Sequence, residues 1–547
     1  MKQQLSYIAT LMLLLAAMLI GCNPQEQKTP PPPISGKITL FAEVAAFTPV
    51  PVQGYGLVAG LEGTGSTQCP PQIRSYLRQY ILAQLPGNCP LTPDQLIDSP
   101  DTAVVRINGV MPAAATKGEK FDLQITPVPG TKTTSLAGGR LYTANLMFSA
   151  GSKIIGTAQG SVFLDTLGEP QPTTGYVLGG GSANDTYDLA LALYKPDFQT
   201  ANSIRNRISE QFGGSTVTAA SAGVIQIKIP PRYAQQKSRF VALLKELYLN
   251  ENPQQEALRT EQLIKDLGDN TKGAIAEISL EAIGRTQEAK ITAALASSDP
   301  QTRFRAARCL LFIANDQGLG ELRNASIDPA SPYRLEAIET IAIGAKRNDA
   351  VTILKQFLVN SDIAVRLAAY EQLRRLDDSA IKTIRVADDF EIDQVFCSGT
   401  KLIYAYRSGS PRIVIFGAPL IANPNIFIES ADGTVFLNSP AENKYVSVVR
   451  RYPQRNITIG PIKSSFEITD IIRTLAELPA NETKKHAHRG LGLSYAGTIA
   501  ILNTMCVKGA IRADFVAGPL AKFKTAPSPN PPKNPPTNVM ESPPKDR

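Results

Sequence analysis

The chain has 547 residues, 43% apolar and 19% charged, with a formal net charge of +8, six cysteines, two histidines and no tryptophan. That apolar share over this length is enough for several cores, which excludes both a largely disordered chain and a single small domain. The positive surplus is spread along the sequence and not gathered in a block of lysine and arginine, which argues against a dedicated nucleic-acid groove.

Residues 1–21 carry one basic residue, Lys2, then the apolar run Leu11–Ile20, the build of a secretory signal. The run is too short to span a bilayer. Leu19-Ile20-Gly21-Cys22 resembles the bacterial lipobox, in which a diacylglycerol is thioether-linked to the cysteine before cleavage. Cys22 is therefore expected to be the lipidated mature N-terminus and the membrane tether. Asn23, where inner-membrane lipoproteins carry aspartate, points to the outer membrane. Residues 22–35 and 522–547 are proline-rich and too poor in apolar side chains to form a core, so both are expected to be extended tethers.

Between residues 36 and 250 the pattern predicts an α+β region. Cys69 and Cys89 bracket a segment with prolines at both ends, a candidate disulfide-closed helical loop worth about 3 kcal/mol by chain entropy. Alternating, β-branched runs predict strands over 103–109, 121–128, 140–148, 153–164 and 224–230. Ile204, Ile208 and Phe212, spaced i, i+4 and i+8, predict a helix over 200–213, and a second is expected over 235–249.

From 254 to 378 the texture is helical almost throughout. The stretches 295–307, 326–337 and 358–369 each place an aspartate before Arg-x-x-Ala, with Arg303, Arg334 and Arg366 spaced 31 and 32 residues apart. Such self-similarity resembles a HEAT-like solenoid, with the aspartates capping helix starts and alanines permitting close helix approach. Cys309, in the apolar run AARCLLFIA, is expected to be a buried small hydrophobe. Strand patterns return over 413–419, 425–430, 433–438, 444–452 and 456–460, followed by helices over 467–478 and 494–511, so 390–516 is expected to form a second α+β region. The fold class is thus multidomain α+β, with β-rich regions interrupted by an all-α segment.

No catalytic or cofactor constellation is complete. Gly54-Tyr55-Gly56-Leu57-Val58-Ala59 satisfies the dinucleotide pattern GxGxxG/A, but Pro49 and Pro51 interrupt the preceding strand, and Gly60, Gly63 and Gly65 oppose the helix that should follow. A tightly turning backbone packed closely on a neighbour, anchored by Tyr55, Leu57 and Leu61, is the better reading. His486 and His488 sit among Lys484, Lys485 and Arg489, which repel a cation, and no carboxylate or cysteine cluster completes a metal site. Ser494 misses the GxSxG elbow because Ala496 replaces the second glycine. Asp185 and Asp188 are scattered acids without readable partners. Neither an enzyme nor a cofactor is expected.

GYGLVAGLEGTGS (54–66), the stretch 102–141 ending in SLAGGRL, IIGTAQGSV (154–162) and LYKPDFQTANSIRNRISEQFG (193–213) together resemble, in order, the bacterial flagellar P-ring protein family. LGLSYAGTIAILNTMCVKGAIRADF (491–515) is similar to that family's last helix and closing strand. Ser66 stands where the family usually has aspartate, the lipobox replaces a simple signal, and 254–378 reads as an insertion the family lacks. The resemblance implies a periplasmic structural protein of the flagellar basal body, a homo-oligomeric ring or bushing around the distal rod that supports motility. Its implied partners are copies of itself, the rod, the outer-membrane ring proteins and, through lipid, the membrane. Lys117, Lys120, Lys132 and Arg140, within the matched region, are candidates for a basic surface facing the rod. The alternative is an envelope lipoprotein scaffold, not flagellar, that binds another protein through its helical repeats.

Overall fold

A computed structural model describes residues 34–521 and 523, apart from 46, 85–91, 149–152, 169–170, 388, 454–455 and 479–489. Cys22, Cys89, His486, His488 and the tail from 524 lie outside the described residues.

The first part contains β1 (Gly36–Lys37), β2 (Ala42–Ala45), β3 (Val50–Ala59), α1 (Pro71–Gln84), α2 (Pro93–Ile97), β4 (Thr102–Met111), β5 (Lys120–Pro127), β6 (Arg140–Met147), β7 (Ile154–Ser161), β8 (Gly175–Ala183) and β9 (Leu189–Leu193). β3 to β8 close into a barrel in the order β3-β4-β5-β8-β7-β6. Period-two alternation fills it: Val52, Val58, Val105, Ile107, Leu123, Ile125, Leu141 and Val177 share one buried cluster. The other face of β3 sends Leu57 and Tyr55 under α1, against Ile73 and Leu77. Contrary to the sequence-based expectation, β3 is a continuous strand through Pro51, and the chain turns only beyond it. Pro51 is tolerated because it is exposed as the strand's second residue and pairing with β6 begins only at Gln53, so the missing N–H falls near a ladder end.

α3 (Phe198–Phe212), β10 (Val217–Ala219), β11 (Val224–Ile227), α4 (Lys237–Glu246) and β12 (Tyr248–Leu249) follow. The sheet β10-β11-β9-β2 packs on α3 through Ile204 and Ile208, as their spacing predicts, and Phe212 meets the rings of Tyr233 and Phe240. Asp197 caps α3 by accepting from Thr200 N at 2.7 Å.

The helical segment comprises α5 (Pro253–Asp266), α6 (Gly273–Ile283), α7 (Glu288–Ala293), α8 (Pro300–Phe312), α9 (Leu319–Ile327), α10 (Arg334–Gly344), α11 (Arg347–Phe357) and α12 (Ile363–Arg375). Asp299 and Asp362 cap α8 and α12 as expected. Asp328 does not cap α10. It stands six residues before Arg334 where the other two stand four before theirs, and with Pro332 intervening it accepts instead from Ala330 N in the turn. The arginines nonetheless repeat one role, each reaching back to a carbonyl ahead of its own helix: Arg303 to Ser297 O, Arg334 to Ser326 O and Arg366 to Leu358 O. Cys309 is buried, as predicted.

The last part holds β13 (Ile381–Val386), β14 (Phe390–Val395), β15 (Leu402–Ala405), β16 (Arg412–Phe416), β17 (Ile426–Glu429), β18 (Val435–Ser439), β19 (Val446–Tyr452), β20 (Ile457–Ser464), α13 (Ile468–Ala476), α14 (Tyr495–Val507) and β21 (Asp514–Ala517). One sheet runs β13-β14-β16-β15-β21, and a second runs β17-β18-β19-β20. β16 is buried at every residue because both faces of its sheet are covered. Val414 and Phe416 join the core of α8 to α12, whereas Ile413 and Ile415 join α13, α14 and the barrel residues Phe163 and Leu178. The helical segment is therefore built into the molecule through shared cores and does not hang from a loop.

Candidate functional site at the signature end of the barrel

The glycine-rich stretch 54–66 and the TTSLAGG stretch 133–139, far apart in sequence, are brought together at one end of the barrel. Leu61 N donates to Asp101 O, Gly65 N to Pro100 O and Ser66 N to Thr102 O, which lays the loop after β3 along the start of β4. Thr134 N donates to Thr64 O at 2.9 Å, and the Thr64 hydroxyl donates to Leu61 O and Ser135 O at 2.7 and 2.9 Å. Ser66, buried, accepts at its hydroxyl from Gln68 N and Lys132 N at 3.1 and 3.0 Å. Two glycines explain why the stretch reads as it does. A Cβ at Gly54 would run into the backbone carbonyl of Asn145 on β6, and one at Gly65 into those of Thr102 and Pro100. The expectation of close packing holds, with Leu57 and Leu61 buried and Tyr55 partly so.

The four candidate basic residues do not form one patch. β5 and β6 run in opposite directions around the barrel, so Lys120 at the start of β5 and Lys117 just before it lie at the end opposite Arg140 at the start of β6 and Lys132 just before that. All four are exposed. Arg140 donates to the Ser161 hydroxyl at 3.2 Å, and Lys117 N to the Thr186 hydroxyl at 3.1 Å.

Beside the signature loop, Arg74 of α1 holds Asp94 at 3.2 Å and Asp98 at 3.0 Å, fastening α1 to α2 and its following turn. The hydrogen bond from Arg74 keeps the Asp98 carboxyl below the usual range. Cys69 is half-buried, and burial pushes its thiol up. Its candidate partner Cys89 falls outside the described residues. Ser494, considered as a nucleophile, caps α14 by accepting from Gly497 N at 3.3 Å. Asp185 and Asp188 are exposed, Asp185 with Lys153 at 3.7 Å. Among the described residues no group of three or more His, Cys, Asp or Glu side chains could hold a metal ion.

Two carboxylates with no local motif join the barrel to the last part. Asp122 accepts from Gly179 N at 2.7 Å and from Gly409 N at 2.8 Å, and Asp165 holds Arg407 at 2.9 Å. Their partners lie 287 and 242 residues away, so only the folded chain could reveal them.

The family profile described as "Flagellar P-ring protein" matches residues 37–260. A flagellar P-ring protein of Desulfotalea psychrophila is 24% identical over 374 residues, covering 62% of this chain and 92% of the relative. One of Geobacter metallireducens is 26% identical over 41% of this chain and 65% of its own length. Flagellar P-ring protein 1 of Photobacterium profundum is 31% identical over 37% of this chain and 56% of its own length. The chain thus spans nearly all of the first relative and less than two thirds of the other two. The profile match ends within α5, so most of the helical segment lies beyond it.

Proposed function

Through residues 37–260 the chain belongs to the flagellar P-ring protein family, and from that premise we propose that it is a structural subunit of the flagellar basal body, forming a periplasmic ring around the rod. The observation that carries the reading is that the family-like stretches 54–66 and 133–139 interlock at one end of a closed barrel. A closed barrel has no free strand edges, which suits a rigid part that works by shape. Such a subunit is a non-enzymatic bushing, and a closed ring asks of it one surface complementary to another on the next copy. Lys132 and Arg140, at the signature end, are the half of the basic set that shares a surface with the interlocked loops.

Three finer elements belong to the same proposal. Lipid on Cys22 tethers the ring to the outer membrane through the proline-rich segment 22–35. Cys69 and Cys89 close α1 and its following segment by a disulfide. The helical segment is a HEAT-like array that braces the two α+β regions, supported by the repeated back-reaching role of Arg303, Arg334 and Arg366. Negative-stain microscopy of purified basal bodies tests the main claim: a strain lacking this chain is expected to lose the rod-encircling periplasmic ring and to stop swimming. Normal swimming with an intact ring would overturn it.

A further inference from the structure

A cleft of about 770 Å³ opens where α3 and residues 246–251 meet the helical segment, far in sequence from the signature loops. Its walls carry both signs of charge, but the two signs are used differently. Glu246, Glu251 and Glu281 are already paired, with Lys37 at 2.7 Å, with Arg259 at 2.8 Å and with Arg239. Glu256 accepts from Thr286 and Gln287 at 2.7 and 3.2 Å.

The arginines Arg207, Arg232 and Arg285 spend themselves mainly on carbonyls. Arg232 donates to Phe312 O at 2.9 Å, Arg285 to Ile313 O and Ala314 O at 2.9 and 3.1 Å, and Arg207 to Tyr248 O and Ala282 O at 3.0 and 3.4 Å. They cap the C-terminal ends of α6 and α8, where a cation is favoured. A guanidinium has five N–H donors, so each retains unspent ones. Among the described residues neither Arg232 nor Arg285 has a carboxylate within ion-pair distance, and Arg207 has only Glu210, at 3.8 Å and itself 69% exposed. On the same wall Arg259 Nη1 is buried with no acceptor.

We propose that this cleft binds a carboxylate, supplied by an acidic side chain of a partner protein or by a free small carboxylate. The forked donors of Arg232 and Arg285 receive it, a geometry that guanidinium matches and ammonium does not. Glu210 and Glu256, the latter held only by the neutral Thr286 and Gln287, are the competing wall charges, and Glu210 is held loosely enough to swing aside. This assignment does not rest on the ring reading, because it uses only the charged groups that line this cleft and none of the loops at the signature end of the barrel.

Isothermal titration calorimetry on the full-length mature chain at low salt, with hexaglutamate, succinate and, as a control, hexalysine, tests the proposal. Hexaglutamate is expected to bind saturably and hexalysine not at all. Arg232→Gln should weaken binding about tenfold, the loss of one charge-assisted hydrogen bond. Glu210→Gln, at an exposed site that cannot disturb folding much, should tighten it. Succinate binding alongside hexaglutamate assigns free carboxylates, and hexaglutamate alone assigns a protein partner. Absence of saturable binding by both acidic probes overturns the site, as does an affinity that Glu210→Gln leaves unchanged. The second variant decides the matter even if Arg232→Gln loses its helix cap and unfolds.

Discussion

At the signature end of the barrel, strands and loops are held by backbone hydrogen bonds among glycines, threonines and a buried serine, whereas the helical segment is fastened by charged side chains taken out of water. Glu277 of α6 is wholly buried between Arg239 of α4 at 2.7 Å and Arg308 of α8 at 2.5 Å, and Arg308 continues to Glu336 of α10 at 2.5 Å. At the other end of the segment, Arg374 of α12 reaches Asp393 on β14 at 2.7 Å, and Tyr370 donates to the same carboxylate. The difference follows from geometry. A ladder satisfies its own backbone and needs only close approach, which glycine permits. Helices satisfy their backbones internally, so what orients one against the next must come from side chains.

If that contrast is right, the largest effect comes from breaking the buried ion network. Glu277→Ala removes the carboxylate shared by two largely buried guanidinium groups, leaving Arg239 to Glu281 and Arg308 to the more exposed Glu336, and should cost about 3 kcal/mol. Chemical denaturation followed by circular dichroism should show the helical transition moving to lower denaturant while the β transition moves less. A single unshifted transition would show the network to be idle.

The barrel end should respond instead to bulk. Gly54→Ala forces β3 away from Asn145 of β6 and is expected to cost about 1–3 kcal/mol, as overpacking does. The same substitution at Gly320, which has open space around it within α9, should be neutral or slightly stabilising by helix propensity. Equal destabilisation at both would mean that close approach is not what Gly54 provides.

A smaller effect separates the true cap from the displaced one. Asp299→Ala removes acceptors for Gln301 N and Thr302 N and should cost about 1 kcal/mol, whereas Asp328→Ala, which caps no helix, should cost less. Thermal melting of the two variants side by side checks the order.

Acid sharpens the comparison further. Burial opposes the charge on Glu277, but Arg239 and Arg308 outweigh it and hold the carboxyl below its ordinary 4.5. The Thr302 hydroxyl holds Asp299 below its ordinary 3.8, and the Thr271 hydroxyl and the N–H groups of Thr271 and Lys272 lower Asp269 to about 2. Depressed carboxyls stabilise the fold above their ordinary values and lose that contribution as pH falls through their folded ones. Glu281, pushed up by burial, titrates in the opposite sense, so protonating it relieves the fold. The helical signal in circular dichroism is therefore expected to fall between pH 4.5 and about 2 ahead of the strand signal, whose ties at the signature end are backbone and hydroxyl hydrogen bonds with the exposed Arg74–Asp98 pair beside them.

Much of the secondary structure was legible because burial imposes periodicity: β4, β5, β6 and β16 alternate or run apolar, and α3 and α14 carry helical spacing. β3 was missed because Pro51 and its glycines deny it strand character, although pairing with β4 along all ten residues overrides that local preference. β8, GYVLGGGSA, was invisible for the same reason. Its glycine content answers a neighbour, since a Cβ at Gly181 would strike the Phe121 ring of β5. Asp328 shows the reverse failure, a cap residue legible as a motif but displaced by two extra residues.

The order of the regions, the helical texture of 254–378, the buried face of most elements and the stretches that resemble the P-ring family are each written in local spacing or in a contiguous motif. No such local pattern says that the glycine stretch is a barrel strand interlocked with 133–139, that the four basic residues divide between opposite barrel ends, or that the helices share a core with the last sheet. Those facts depend on strand direction and on pairs of residues tens to hundreds of positions apart, and chain topology, which no local pattern encodes, brings them together.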